Sequence, residues 1–107
     1  MRRGKEIAQG SHASNAVLFK VAFQGFTPSD ELIKWLNTGS TKICVTVASE
    51  QELLDIKQHA EELGLEVNIV IDSGHTEFNG VPTRTCLAIG PNHSEQIDRV
   101  TGHLKLY

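Results

Sequence analysis

This sequence predicts an α/β fold: three layers, with helices on both faces of a mixed, mainly parallel sheet. Three observations point that way. Two β-branched apolar runs of strand length, Lys42-Ile43-Cys44-Val45-Thr46-Val47 and Val67-Asn68-Ile69-Val70-Ile71, flank a segment of helical period. A strand–helix–strand order implies a right-handed crossover, hence a parallel pair. A third apolar run, Thr85-Cys86-Leu87-Ala88-Ile89, and helical segments towards both ends supply the remaining strand and the outer layers. At 107 residues the chain suffices for one domain, residues 1–107, with one core.

In chain order, a first helix is expected from about Lys5 to about Val21, ending before Gln24-Gly25, where glycine suits a helix C-terminus. Its second half, Ala16-Val17-Leu18-Phe19 with Val21-Ala22-Phe23, is almost continuously apolar, as in a helix buried on more than one side or packed on a sheet. Thr27-Pro28-Ser29-Asp30 reads as a helix start, with a capping hydroxyl, proline at the first helical position and acid in the first turn. The short helix that follows runs to about Leu36 and is closed by Asn37-Thr38-Gly39-Ser40. Ser49 and Glu52 form a capping box for a third helix through about Leu63, which Gly64 terminates. Leu53, Leu54, Ile56, Ala60 and Leu63 fall at helical spacing on its apolar side. After the third strand comes Gly90-Pro91, then a last helix over Ser94–Val100 and a compact tail ending at Tyr107.

Composition narrows the function. A formal net charge of −3 argues against a generic nucleic-acid coat, while Arg2, Arg3 and Lys5 leave room for a local basic patch. Both cysteines, Cys44 and Cys86, lie in strand-like runs and are expected to be buried, reduced thiols. No run of 18 apolar residues and no signal-peptide pattern occurs, so a cytoplasmic protein without a membrane partner is expected. The five histidines show no H-E-x-x-H spacing and the cysteines no C-x-x-C, so no metal site is expected. Without a G-x-S-x-G elbow, Ser11 is a weak nucleophile candidate.

Two stretches carry chemistry. From Arg2 to Ser14 a basic turn leads into a helix rich in small residues. The first N–H groups of a helix lack internal partners and sit at the positive end of its dipole, so Arg2, Arg3 and Lys5 there make a seat for an anion. Gly4 is expected to let the backbone bend sharply. The bulk-free face of Ala8, Gly10, Ser11, Ala13 and Ser14 admits either another backbone or a ligand. In the second stretch, Asp72-Ser73-Gly74-His75-Thr76-Glu77 follows a strand, where open α/β sheets bind ligands. An acid, a threonine hydroxyl and a lysine in one crevice can orient a water and stabilise a reacting carbonyl. The plainer reading is that Asp72 merely caps the Ser73-Gly74 turn.

These residues resemble a known family. Gly4-Lys5 followed by Ala8-Gln9-Gly10-Ser11-His12-Ala13 is similar to the G-K-x-A-A-Q-x-S-H-A signature of the peptidyl-tRNA hydrolase 2 family. Asp72-Ser73-Gly74-x-Thr76 resembles its D-A-G-x-T loop, and Leu87-Ala88-Ile89-Gly90-Pro91 and Thr101-Gly102-His103-Leu104-Lys105-Leu106 its closing segments. The motifs keep family order over nearly the whole chain. The resemblance implies an enzyme that hydrolyses the ester between a peptide and the 3′ end of tRNA, with peptidyl-tRNA as partner and no cofactor. It implies catalytic roles for Lys5, Asp72 and Thr85. Gln9, Ser11 and His12 match the neighbours that line the family site, and Arg3 and Gly4 join them on the substrate side through the helix start. His75 stands where the family loop has arginine, facing tRNA phosphates, and the loop to Thr85 is one residue longer. Family members also carry a hydrophobic strand and a basic linker ahead of the Gly-Lys turn, and this chain starts inside that linker. Without that central strand two strand edges would be exposed; a mis-assigned start, a truncated chain or a genuine short paralogue that closes the gap as a homodimer would each account for it, and an incomplete sequence is the expectation. The rival reading is a non-catalytic tRNA- or protein-binding module of the same fold, or a phosphate-ligand binder.

Overall fold

The computed structural model describes residues 1–75 and 78–107. In order it comprises α1 (Arg3–Gln24), α2 (Asp30–Asn37), α3 (Glu50–Glu62), β1 (Val67–Asp72), β2 (Thr83–Ile89) and α4 (Ser94–Thr101). The class is α/β. Among the described residues the sheet has two strands, and β1 and β2 run antiparallel.

Local chemistry sets the helix ends. The hydroxyl of Ser29, one residue past Pro28, accepts from the Leu32 N–H at 3.1 Å, so α2 starts later than the threonine-capped start predicted. Ser29 wins because Asp30 and Glu31 then occupy the first turn, where the helix dipole favours acids. At α3, Ser49 Oγ accepts from Glu52 N–H at 3.1 Å while the Glu52 carboxylate accepts from Ala48 N–H at 3.0 Å, a reciprocal cap as expected. Helix α1 closes at Gly25, whose φ of 74° is the left-handed value glycine adopts most readily, and Phe26 N–H donates to the Lys20 carbonyl at 3.0 Å.

The core lies between α3, α4 and one face of the sheet. Ile56, Ala60, Leu65 and Val100 form its centre, joined by Val47, Leu63, Val67, Leu87, Ile89 and Leu104. Helix α1 packs on both strands through Gln9, Ala13 and Val17, spaced four apart. Its other apolar residues are not covered as the sequence suggested. Phe19 and Phe23 are exposed, Phe23 by 80%, and their rings meet at 5.8 Å. The Lys20 ammonium pairs with Glu66 at 2.8 Å and ties the far end of α1 to the start of β1.

The run Lys42–Val47 does not form the parallel partner of β1. It touches strand-like backbone only at Val45, which bridges Leu106 antiparallel, with Thr46 N–H to Lys105 O and Tyr107 N–H to Cys44 O, both 3.0 Å. A β-branched run suits a pleated surface but needs a neighbour beside it to become a strand, and here only the tail supplies one. In consequence Cys44 is exposed, not buried as expected, and Cys86 is half-buried. Ile43 is left 75% exposed. Among the described residues no helix is long and apolar enough to cross a membrane.

Val100 is fully buried. Val100→Ala should lower stability by about 2 kcal/mol, a fall of roughly 10 °C in Tm. Phe23→Ala should stay within about 0.5 kcal/mol. Urea and thermal denaturation of both variants check this contrast.

Candidate active site

The site forms where the first turns of α1 cross the end of β1. Helix α1 begins at Arg3, two residues earlier than predicted, and takes Gly4 and Lys5 into its first turn. Gly4 therefore does not make the sharp bend expected of it. It has no positive φ, and a Cβ there would meet nothing within 4 Å. Residues four apart on a helix share a face, so Lys5 and Gln9 both look towards the sheet. Asp72 is the last residue of β1 and meets them there.

The Lys5 ammonium lies 2.7 Å from Asp72 Oδ1, and the two side chains are only 17% and 9% exposed. Asp72 Oδ2 accepts from the Gly74 N–H at 2.8 Å. Asp72 thus caps its own turn and pairs with the lysine as well. The Lys5 hydrogen bond first, then the Gly74 N–H, hold its carboxyl below the usual carboxylate range, against the smaller opposing effect of burial. His75, exposed at the loop, adds a minor pull in the same direction.

Gln9 is 5% exposed and bonded within the protein. Its Oε1 accepts from the Thr85 hydroxyl at 2.6 Å, and its Nε2 donates to Asp72 Oδ1 at 3.5 Å, a weak bond beside the ion pair. Its main-chain carbonyl accepts from Cys86 Sγ at 3.3 Å. Neighbouring residues of a strand ordinarily face opposite ways, yet Thr85 and Cys86 both reach Gln9. The cause is a bulge. The register passes from Val70↔Cys86 to Ile71↔Arg84 and leaves Thr85 as the extra residue, turned to the helix side. Burial pushes the Cys86 thiol up, which keeps it protonated.

Other predicted residues stand apart from this cluster. Arg3 is exposed in the first turn of α1. His12 is exposed on the helix, and exposed Ser11 turns its hydroxyl back to the Ile7 carbonyl at 2.9 Å. Gly10 is exposed, and a Cβ there would meet nothing within 4 Å, so of the small residues it is Ala13, and not Gly10, that meets the sheet. Thr76 of the loop motif lies outside the described residues. Among the described residues no three His, Cys, Asp or Glu side chains gather as a metal site requires. One contact had no signal in the sequence: the Tyr107 hydroxyl donates to Glu6, which fastens the tail to the first turn of α1 and pushes the phenol up.

The profile of the family described as Peptidyl-tRNA hydrolase PTH2 matches residues 1–107. The chain belongs to that family. It is 42% identical over 106 residues to the peptidyl-tRNA hydrolase of Methanocaldococcus jannaschii, covering 99% of this chain and 89% of that one. It is equally 42% identical over 106 residues to that of Methanothermobacter thermautotrophicus, covering 99% and 88%. The mitochondrial peptidyl-tRNA hydrolase 2 of Bos taurus is 39% identical over 108 residues, covering all of this chain and 58% of its own. Within this PTH2 family member, Lys5, Gln9, Asp72 and Thr85 converge among the described residues.

Two outcomes follow from the geometry. Gly74 has a φ of 85°, and a Cβ there would lie 2.3 Å from the Val81 carbonyl oxygen. Gly74→Ala should therefore cost about 1–3 kcal/mol, whereas Gly10→Ala, in an open helical position, should stabilise by about 1 kcal/mol. Chemical denaturation reads both. Because the folded state lowers the Asp72 carboxyl, its stabilisation is fully present above about pH 4 and is lost as pH falls through the folded value. Below about pH 4 the stability of Asp72→Asn should fall less steeply with acid than that of the parent.

Proposed function

We propose that this protein hydrolyses the ester bond between peptide and tRNA in peptidyl-tRNA, and so recycles tRNA in translation. The observation that carries the reading is the Lys5–Asp72 pair at 2.7 Å, joined through Gln9 to the Thr85 hydroxyl. Membership of the PTH2 family and the names of relatives such as that of Methanocaldococcus jannaschii support it. In the reaction a water oxygen bonds to the acyl carbon and the bond to the ribose oxygen breaks. One water proton ends on the ribose hydroxyl, and the other is released from the new peptide carboxylic acid.

The roles follow from charge. A carboxylate held below its usual range is ionised at neutral pH but a weak base. Asp72 accordingly orients the water at first, rather than stripping it. As attack proceeds, negative charge grows on the carbonyl oxygen, and the Lys5 ammonium is drawn to it. That loosens the hold of Lys5 on Asp72 and raises the carboxylate's basicity when a proton must leave. Arg3 and Gly4 at the start of α1, with His12, Ser11 and His75 around it, meet the tRNA phosphates and terminal adenosine.

The rest of the chain serves the same function. Residues 1–107 act as one domain in the cytoplasm. The architecture is a three-layer α/β/α fold whose mixed, mainly parallel sheet takes in the 42–47 run when a second copy stands beside it.

Asp72→Asn and Lys5→Ala should each lower turnover of peptidyl-tRNA by about 100- to 1,000-fold, with binding of deacylated tRNA kept by Asp72→Asn. A filter-binding titration run beside the hydrolysis assay checks this. Binding of tRNA by the parent without any turnover would support the non-catalytic module instead.

A further inference from the structure

We infer that Gln9 is a positioning residue that makes the Thr85 hydroxyl a hydrogen-bond acceptor, and not a donor, towards the attacking water. The inference rests on the hydrolase reading and starts from a proton inventory. An ionised carboxylate has no proton to give, and the ion pair with Lys5 at 2.7 Å keeps Asp72 in that form. Whichever end of the Gln9 amide faces Asp72 Oδ1 must therefore be the NH₂ end, since the carbonyl end would set two acceptors against each other. Oε1 then faces Thr85. A carbonyl oxygen only accepts, so at 2.6 Å the single Thr85 hydroxyl proton is committed to Gln9.

What remains on Thr85 Oγ is lone-pair capacity. Thr85 is half-buried at the bulge of β2, and the attacking water takes up that capacity. A water that donates one proton to Thr85 Oγ and the other to the Asp72 carboxylate has its own lone pairs turned away from both, towards an electrophile. A freely rotating threonine hydroxyl would at times donate to that water instead, taking one of its two lone pairs and leaving one of its protons undirected. Gln9 prevents this from inside the protein. It is itself 5% exposed, and its backbone is pinned through the Cys86 thiol at 3.3 Å. Gln9 thereby acts on the water through Thr85, without touching substrate.

Steady-state kinetics on peptidyl-tRNA with Gln9→Met, Thr85→Val, Thr85→Ser and the Gln9→Met/Thr85→Val double variant test the inference. Gln9→Met and Thr85→Val should each lower kcat by about 10- to 100-fold with KM changed less than about threefold. The double variant should be no slower than the worse single one, because both remove the same interaction. Thr85→Ser, which keeps the hydroxyl, should recover most of the Thr85→Val loss. A Gln9→Met variant with raised KM and unchanged kcat, losses that multiply in the double variant, or full kcat in Thr85→Val would each overturn it. Slow exchange of the Thr85 hydroxyl proton by NMR, abolished in Gln9→Met, is a readout independent of turnover. A protected hydroxyl in a parent that never cleaves peptidyl-tRNA would refute the hydrolase reading while upholding the hydrogen-bond polarity. Fast exchange in the parent would refute the polarity itself.

Discussion

The arrangement of this molecule depends on one ion pair formed across 67 residues of sequence, between the Lys5 ammonium and the Asp72 carboxylate. Both side chains are largely withdrawn from water, so the Asp72 charge would be costly without the ammonium beside it. The pair therefore does more than join α1 to β1. It settles the ionisation of Asp72, and with it the orientation of the Gln9 amide and the direction in which the Thr85 hydroxyl points. A single electrostatic fact propagates through three hydrogen-bonding groups because each has a limited stock of protons and lone pairs.

Backbone geometry carries that pair into a site. Asp72 ends its strand at a turn that only glycine can make, since at Gly74 the Val81 carbonyl occupies the space of a side chain. The bulge in β2 sets two successive side chains on the same side, so that α1 meets a hydroxyl and a thiol together. At the far end of α1, the Lys20–Glu66 pair fixes the helix to the beginning of the same strand. The helix is thus held at both ends of β1, and the small contact face of Gln9, Ala13 and Val17 suffices between them.

Much of this was legible in the residues. The caps at Ser49 and Glu52, the glycine after α1 and the bounds of α3 and α4 depend on neighbours a few positions apart, and such signals survive in a linear reading. The Gly-Lys turn and the Asp-x-Gly loop were visible as two halves of a site, and the family motifs joined them. What failed to show was non-local. Whether Lys42–Val47 becomes a strand depends on what lies beside it, which its β-branched composition does not state. The exposure of Cys44 follows from the same gap. The bulge at Thr85 had no signal, since nothing in the residue types said that the register would shift there. Gln9 read as a neighbour lining the site, and its contacts with Asp72 and Thr85 could not be read from the sequence, because they come from residues 63 and 76 positions away that meet only in the packed chain.

The most direct measurement of the central claim is a carbon-13 NMR titration of the Asp72 side-chain carboxyl in the parent and in Lys5→Met. Asp72 should titrate below the ordinary carboxylate range in the parent and move upward when the ammonium is removed. A carboxyl that titrates in the ordinary range, and at the same pH in both proteins, would mean that the two groups do not share a cleft and would contradict the claim.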